Sequence, residues 1–304
     1  MSRHLAPCTA RRSRGVALIF VLWLLALLTL LLGSFALISR TESLQARHLF
    51  DTTRARYAAE AGINHAAWAL SLPDPTLRWL PDGRDYRLQF DDAELSVRIT
   101  DESGLIDLNA ADAQTFVNLF VGAGVELVQA TAIADAILDW RDGDDLKLLN
   151  GAEDADYRAE GYPYGAKDAP FDLVAEVQQV MGMSYELYQQ IAPALTVYSG
   201  QAVPNLAYAP IEVMRAFPNI DPAMAQLLIE QRQAWLPGLG LPPPTLPDGT
   251  PLVAEGGTGT YSIESRATLP NGAYTELRVT LRLGGSGISG RAFSVLRWQD
   301  RSAL

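Results

Sequence analysis

The sequence predicts an α+β fold: a long N-terminal helix packed on an antiparallel β-sheet, with a large all-α domain inserted between two parts of that sheet. Three observations carry this. A run without charge from Val16 to Ser39 passes, with no proline, into a stretch rich in Ala, Leu, Arg and Glu that lasts to Pro73. Two-residue alternation of apolar and polar side chains occurs before about residue 108 and again after residue 260. Between them, from Ala110 to Gln233, apolar residues recur at helical spacing.

The N-terminal run sets the first boundary. Its 24 uncharged residues (16–39) would make a helix of ~36 Å at ~1.5 Å per residue, enough to cross a hydrocarbon core of ~30 Å. A secretory signal core is shorter, usually ~7–15 residues, and no A-x-A-like cleavage site follows, so the segment is expected to be retained. Arg3, Arg11, Arg12 and Arg14 precede it without an acid, which predicts a cytoplasmic N-terminus and export of everything after Arg40. Residues 40–72 then read as the same helix leaving the membrane. Phe50, Tyr57, Ala61 and Trp68 recur at spacings of four or seven and form a stripe that can pack on the chain's own domain or on partner helices.

In residues 73–108, YRLQF and ELSVRIT flank the turn-like DDA and predict a hairpin over 86–100, with GLIDLN as a further short strand. Residues 109–235 read as the inserted helical domain, its helices expected in AADAQTFVNLF, ELVQATAIADAILDW, DLVAEVQQVM and YELYQQIAPAL. DLNAADAQTFVNLF and PNLAYAPIEVMRAF look like weak copies of one another and have the appearance of helix-hairpin-helix or SAM-like units, Asn109 and Asn205 being expected to cap helix starts. Some such units bind DNA, but charge argues against it here. Without the four arginines of residues 1–15, the remaining 20 basic side chains face 35 acidic ones, and such a surface repels nucleic acid. Residues 236–259, rich in Pro and Gly, read as an exposed connection. Residues 260–304 return to the sheet through TYSIESRAT, YTELRVTLRL and RAFSVLRW.

Residue types limit the chemistry. Cys8, the only cysteine, precedes the apolar run, and His4, His48 and His65 are the only histidines. Thiol catalysis, thiolate zinc sites and disulfides in the exported part are thereby removed, and a His-based triad is nearly excluded. Acids are concentrated instead in DWRDGDDLKLLNGAEDADYRAEG, where Asp139, Asp142, Asp144, Asp145, Glu153, Asp154, Asp156 and Glu160 fall within 22 residues. Counting Asp142 as the first position of an EF-hand loop puts Asp144, Asn150 and Glu153 at positions three, nine and twelve, but Leu146 and Lys147 break positions five and six. The loop is therefore not an EF-hand. Composition alone suits a solvated acidic loop; the same density of hard oxygen donors also suits calcium. A pair of acids for glycoside hydrolysis lacks any surrounding aromatic array.

The basic leader ending in Gly15, the apolar helix beginning at Val16 and the β-domain beyond resemble the plan of type IV pilins and of the pseudopilins of type II secretion. The stretches GVALIFVLWLLALL, YAAEAGI, DESGLIDLNAA, AILDWRDGDD, NGAEDADY and PFDLVAEVQQVMGM, in that order, resemble the K-component (GspK) family of minor pseudopilins. The resemblance implies a type IV pilin-like fold with an inserted α-domain, and a structural role, without catalysis, at the tip of the pseudopilus. It implies cleavage between Gly15 and Val16 by a prepilin peptidase, methylation of the new N-terminus, and residence in the bacterial inner membrane with a periplasmic head. It implies a tip trimer with the I and J minor pseudopilins, contacts with minor pseudopilin H, the major pseudopilin and the assembly platform, and one or two calcium ions in the α-domain. Asp139, Asp142, Asp144, Asp145, Asn150, Glu153 and Asp154 are the ligands expected. Most pilins have Glu as the fifth mature residue, facing a neighbour's amine; here it is Phe20, which suits a subunit with nothing above it. Partner contacts are expected at Phe20, Phe50, Tyr57 and Trp68. The rival reading is a calcium-binding receptor or binding protein anchored by the span, although with 15 residues before it no cytoplasmic output domain is expected.

Overall fold

The structure is a computed structural model that describes residues 16–238, 240–252, 257–284 and 292–300. It divides into two compact units, one ending at Arg54 and one beginning at Ala55. Helix α1, Val16–Leu70, runs as one element through that boundary.

In the first unit the apolar side chains of α1 are exposed throughout, and the helix is long and apolar enough to cross a membrane. Two hydroxyls in its most apolar part are satisfied within it: Thr29 donates to the Ala26 carbonyl at 2.8 Å and Ser34 to that of Leu31 at 2.9 Å. Such back-bonding lowers the cost of placing a hydroxyl in hydrocarbon.

In the second unit the remainder of α1 lies on a five-stranded antiparallel sheet built from β1 (Asp82–Phe90), β2 (Ala93–Asp101), β5 (Thr260–Thr268), β6 (Tyr274–Leu283) and β7 (Phe293–Asp300), in the order β1-β2-β5-β6-β7. The buried face of the helix is one of small residues, Ala55, Ala58, Ala59, Gly62, Ala66 and Ala67 with Ile63 and Leu70. It packs on Leu95, Val97, Ile99, Ile263, Leu277, Val279 and Leu281. Gly62 is required for that approach: a Cβ there would stand 2.3 Å from Ser265 Oγ and 3.1 Å from Val97 Cγ2. The aromatic stripe is therefore not the face that packs on the chain's own sheet. Tyr57 and Trp68 point away from it and are exposed, because the close approach of helix and sheet around Gly62 leaves no room for an aromatic ring.

The expected hairpin is longer than its alternation suggested. Strand β1 begins at Asp82, with a register shift between Asp82 and Asp85, and pairs through to Phe90 opposite Ala93. The Gly83-Arg84-Asp85 irregularity hides those first residues from a pattern of period two. Asp91 takes a left-handed conformation in the tight turn (φ 54°).

Between β2 and β5 lies the helical part. In chain order it holds β3 (Ile106–Asp107), α2 (Ala113–Gly122), α3 (Leu127–Arg141), α4 (Asp154–Ala159), α5 (Tyr185–Ile191), β4 (Leu195–Thr196), α6 (Ile211–Arg215) and α7 (Pro222–Ala234). Its core gathers Phe116, Phe120, Ile133, Ile137, Trp140, Tyr157, Ile191 and Met214. The short strand expected in GLIDLN is present, but its parallel partner β4 lies where a helix was expected to continue. The α-helix stops at Ile191, and Pro193 lies in the 3-10 turn Ala192–Ala194 that follows, since proline in an α-helix interior removes a hydrogen bond and clashes with the preceding turn. DLVAEVQQVM forms a 3-10 run over Val174–Gln179 rather than an α-helix.

The asparagines do not cap the helices. Asp112 caps α2, accepting from the Thr115 amide at 2.8 Å, while Asn109 exchanges two hydrogen bonds with the Phe171 backbone. Helix α6 starts at Pro210 with no side-chain cap, and Asn205 accepts from the Ala207 amide within its own turn. In both copies the Asn stands several residues before the first helical turn, too far to reach its free amides. The Pro/Gly-rich connection is not wholly exposed either, since Leu252 is buried in the helical core and Leu246 packs against it.

Candidate functional site

The acidic cluster is assembled at the end of α3. Asp139, in the last turn, is fully buried. Its carboxylate accepts from the Leu148 amide at 3.2 and 3.3 Å. The following loop wraps tightly over it, because a Cβ on Gly151 would lie 1.9 Å from Asp139 Oδ2. Arg141 ties the end of α3 down by donating to the Leu108 and Ala111 carbonyls, at 2.5 and 2.7 Å. Glu153 precedes α4, where its backbone amide donates to Asp156 Oδ2 at 3.0 Å. Both oxygens of the Glu153 carboxylate are buried and without a hydrogen-bond partner, as is Asp142 Oδ1.

Electrostatics marks these groups as one cluster. Burial pushes Asp139 up to about 6, helped by the charges of Asp142 and Asp135. Burial pushes Glu153 up to about 7, helped by Asp139, Asp168, Asp142 and Asp145. Asp142 and Asp168 are raised as well, by burial first and then by neighbouring carboxylates. Removing carboxylates from water and crowding them both disfavour the charged form.

Most of the expected ligands act on this cluster: Asp139, Asp142 and Asp145 raise Glu153, Asp144 raises Asp142, and Asp154 raises Asp168. Asp144 accepts from the Leu146 amide in an exposed turn; Asn150 donates through both its backbone and its side chain to Asp135; Asp154 pairs with Arg158 at 3.5 Å. Asp168 was not legible in the sequence. It sits beyond the acidic run, in a left-handed conformation (φ 52°), and no spacing rule connects it to Asp142. Among the described residues no three His, Cys, Asp or Glu side chains stand together as a preformed metal cage. The donor chemistry fits a hard cation nonetheless: it is all carboxylate oxygen, and Glu153 is buried with both oxygens unpaired.

The expected partner residues all lie on α1 and are more than half exposed, Phe20 at 73% and Phe50 at 67% in the first unit, Tyr57 at 64% and Trp68 at 57% in the second. Trp68 leans on His65, with ring centroids 5.2 Å apart. Gly15 and the rest of the leader lie outside the described residues.

Comparison with known proteins agrees with this picture. Residues 95–200 match the family model for the type II secretion system (T2SS), protein K. The chain is 32% identical over 203 residues to the type II secretion system protein K of Klebsiella pneumoniae, covering 60% of this chain and 62% of that protein, just under two thirds of its length. It is 26% identical over 289 residues to protein K of Dickeya chrysanthemi, covering 74% and 80%. Its structure is similar to a chain in the crystal structure of the GspK-GspI-GspJ complex from enterotoxigenic Escherichia coli, with a TM-score of 0.60 and 19% identity, covering 85% of this chain and all of that one. The predicted fold class is borne out by that structural likeness, and the family resemblance by the match of residues 95–200 to the model of protein K of the type II secretion system.

Proposed function

We propose that this chain is a minor pseudopilin, structural rather than catalytic, that caps the tip of the type II secretion pseudopilus. There it nucleates assembly with the I and J minor pseudopilins and supports export of folded proteins across the outer membrane. The similarity to a chain solved in complex with GspI and GspJ carries the reading. The exposed aromatic stripe of α1 supports it, since large apolar side chains left in water on a helix commonly meet other chains. The helical insertion between β2 and β5 enlarges the head and makes it harder to bury within a helical stack, which favours the end position.

The reading requires a processed N-terminus in the inner membrane. Co-expression with a prepilin peptidase should remove residues 1–15 and leave Val16 methylated, as read by N-terminal sequencing and mass spectrometry. A bulky residue at Gly15 should block this. Equal gel mobility with and without the peptidase would overturn the assignment.

The partner surface is tested separately. With the I and J subunits, Tyr57→Ala combined with Trp68→Ala should weaken the ternary complex by about thirtyfold or more, the loss of a single aromatic hot spot of ~2 kcal/mol. Phe20→Glu should reduce secretion while leaving head association intact, since a carboxylate at membrane depth with no amine above it costs ~2.5–3.5 kcal/mol. An intact complex in the double variant would remove the stripe from the interface.

Calcium is the remaining part of the proposal, one or two ions held by Asp139, Asp142, Asp145, Glu153 and Asp168. Bound there, the ion would supply the positive charge that these crowded carboxylates lack and would pin the loop after α3 to α4.

A further inference from the structure

Where α1 ends, its last residue, the loop to β1, the connection after α7 and the start of β5 enclose a cavity of about 400 Å3, a size usual for small-ligand sites. Its aromatic walls are held in place by their own contacts. Trp79 is stacked on Tyr86, with ring centroids 4.0 Å apart and planes 2° from parallel. The Tyr86 hydroxyl is in turn pinned by the Leu80 amide, which donates to it at 2.6 Å. Trp235 is fixed by its indole N–H, which donates to the Leu241 carbonyl at 3.1 Å.

The side-chain polar groups that open on this cavity are donors. Tyr208 is 5% exposed, yet among the described residues its hydroxyl has no hydrogen-bond partner, and it is not sealed in the interior. The same holds for the hydroxyl of Tyr261 in β5. Arg78 donates through Nε to the Leu72 carbonyl at 2.9 Å, and among the described residues its terminal nitrogens have no partner. Burial raises the pKa of both phenols, Asp101 raises them further and the Arg78 charge lowers both, so the guanidinium stands near the two hydroxyls. Two acids are close by, but neither opens on the cavity. Asp82 is held by Arg84 and Arg232 at 2.7 and 3.8 Å. Asp101 is fully buried and accepts from the Ser103 amide at 2.8 Å. Gly257 covers it, since a Cβ there would stand 1.8 Å from Asp101 Oδ2, and burial shifts Asp101 toward its neutral form.

We propose that this cavity binds a carboxylate carried on a flat apolar body, the acid accepting from Tyr208, Tyr261 and Arg78 and the body resting on Trp79 and Trp235. Two unpartnered hydroxyls beside a guanidinium select an anion that can accept several hydrogen bonds at once. The indole walls select an apolar carrier over a strongly hydrated ion. A free aromatic acid and the last residue of a polypeptide ending in an aromatic side chain share this chemistry. The proposal does not depend on the tip assignment.

The probe is 3-phenylpropionate, titrated by calorimetry into the full-length chain in detergent micelles. Saturable binding is expected, weakened about tenfold or more by Arg78→Gln and by Tyr208→Phe at unchanged melting temperature, as loss of a hydrogen bond to a charged group predicts. Equal heats in the wild-type chain and both variants would reduce the signal to partition into detergent and overturn the proposal. So would equal binding of the neutral 3-phenylpropionamide. Equal or tighter binding of 2-phenylethylammonium would make the cavity an aromatic cation site backed by Asp101, and likewise overturns it. A pentapeptide of four glycines and a terminal phenylalanine separates the two sources. Displacement of the probe by its free acid and not by its amide assigns the cavity to a chain end, and failure of both to displace it assigns the cavity to a free acid; either result keeps the carboxylate. Displacement by the amidated peptide overturns it.

Discussion

Replacing Arg232 by alanine should destabilise the head by about 3 kcal/mol or more, since it removes three hydrogen bonds from a buried charged donor, each typically contributing about 1.5–3 kcal/mol. Arg232, near the end of α7, is 4% exposed. One of its terminal nitrogens donates to the Leu206 and Ala209 carbonyls at 3.1 and 2.9 Å, and the other to the Asp82 carbonyl at 3.0 Å. Asp82 is also salt-bridged to Arg84 at 2.7 Å, and Arg84 donates back to the Arg232 carbonyl at 2.9 Å. The helical insertion is thus locked to the first strand of the sheet. Burial draws the Arg232 guanidinium down to about 10, so it stays charged at neutral pH and must be solvated by these groups. Arg232→Lys keeps the charge but cannot span three carbonyls, and should fall between wild type and alanine. The exposed pair Arg98–Asp85, 2.8 Å apart with both side chains about half exposed, is the control: Arg98→Ala should change stability by less than about 1 kcal/mol. Urea unfolding followed by tryptophan fluorescence measures all three, and equal losses for Arg232→Ala and Arg98→Ala would show that the clamp is not what holds the insertion.

Calcium should raise the melting temperature, and pH should decide by how much. A ligand that binds only the folded state at a hundredfold excess over Kd adds about 2.7 kcal/mol. Asp139 and Glu153 have folded pKa values of about 6 and about 7, above the ordinary 3.8 and 4.5. Without a cation the folded state therefore holds more protons than the unfolded one between about pH 4 and pH 7, so these two groups make stability fall as pH rises through that window. The cation requires the carboxylates deprotonated, so its contribution should be largest above pH 7 and lost below about pH 5. Melting curves in calcium and in chelator at pH 5 and pH 8 test both statements, with Asp139→Asn/Glu153→Gln removing the calcium response and flattening the pH dependence in chelator. Superimposed curves in calcium and chelator at pH 8 would leave the cluster a solvated loop.

How far the sequence carries depends on whether a feature is written in neighbouring residues. The uncharged run from Val16 to Ser39, the alternation in TYSIESRAT and YTELRVTLRL, and the density of acids after Asp139 are local patterns. Each survived into the structure as a long apolar helix, paired strands β5 and β6, and a crowded carboxylate cluster. Features that join distant residues were not legible. Nothing near Leu195 signals a strand until Ile106 is placed beside it. Asp168 joins the acids only because the chain folds back, and Arg232 reads as an ordinary surface arginine until Asp82 meets it.

The sequence by itself determined the order of helix, hairpin, helical insertion and returning strands, and the residue types available for chemistry, because both follow from periodicity and composition. Only the tertiary structure decided which face of α1 is buried. A helical wheel credits aromatic and alanine stripes alike, but the sheet lies so close at Gly62 and Ser265 that the face against it is mostly alanine, with Ile63 and Leu70 away from the closest approach. Tyr57 and Trp68 are left to the solvent side, and which of two apolar faces becomes core was settled by the distance to the strands opposite.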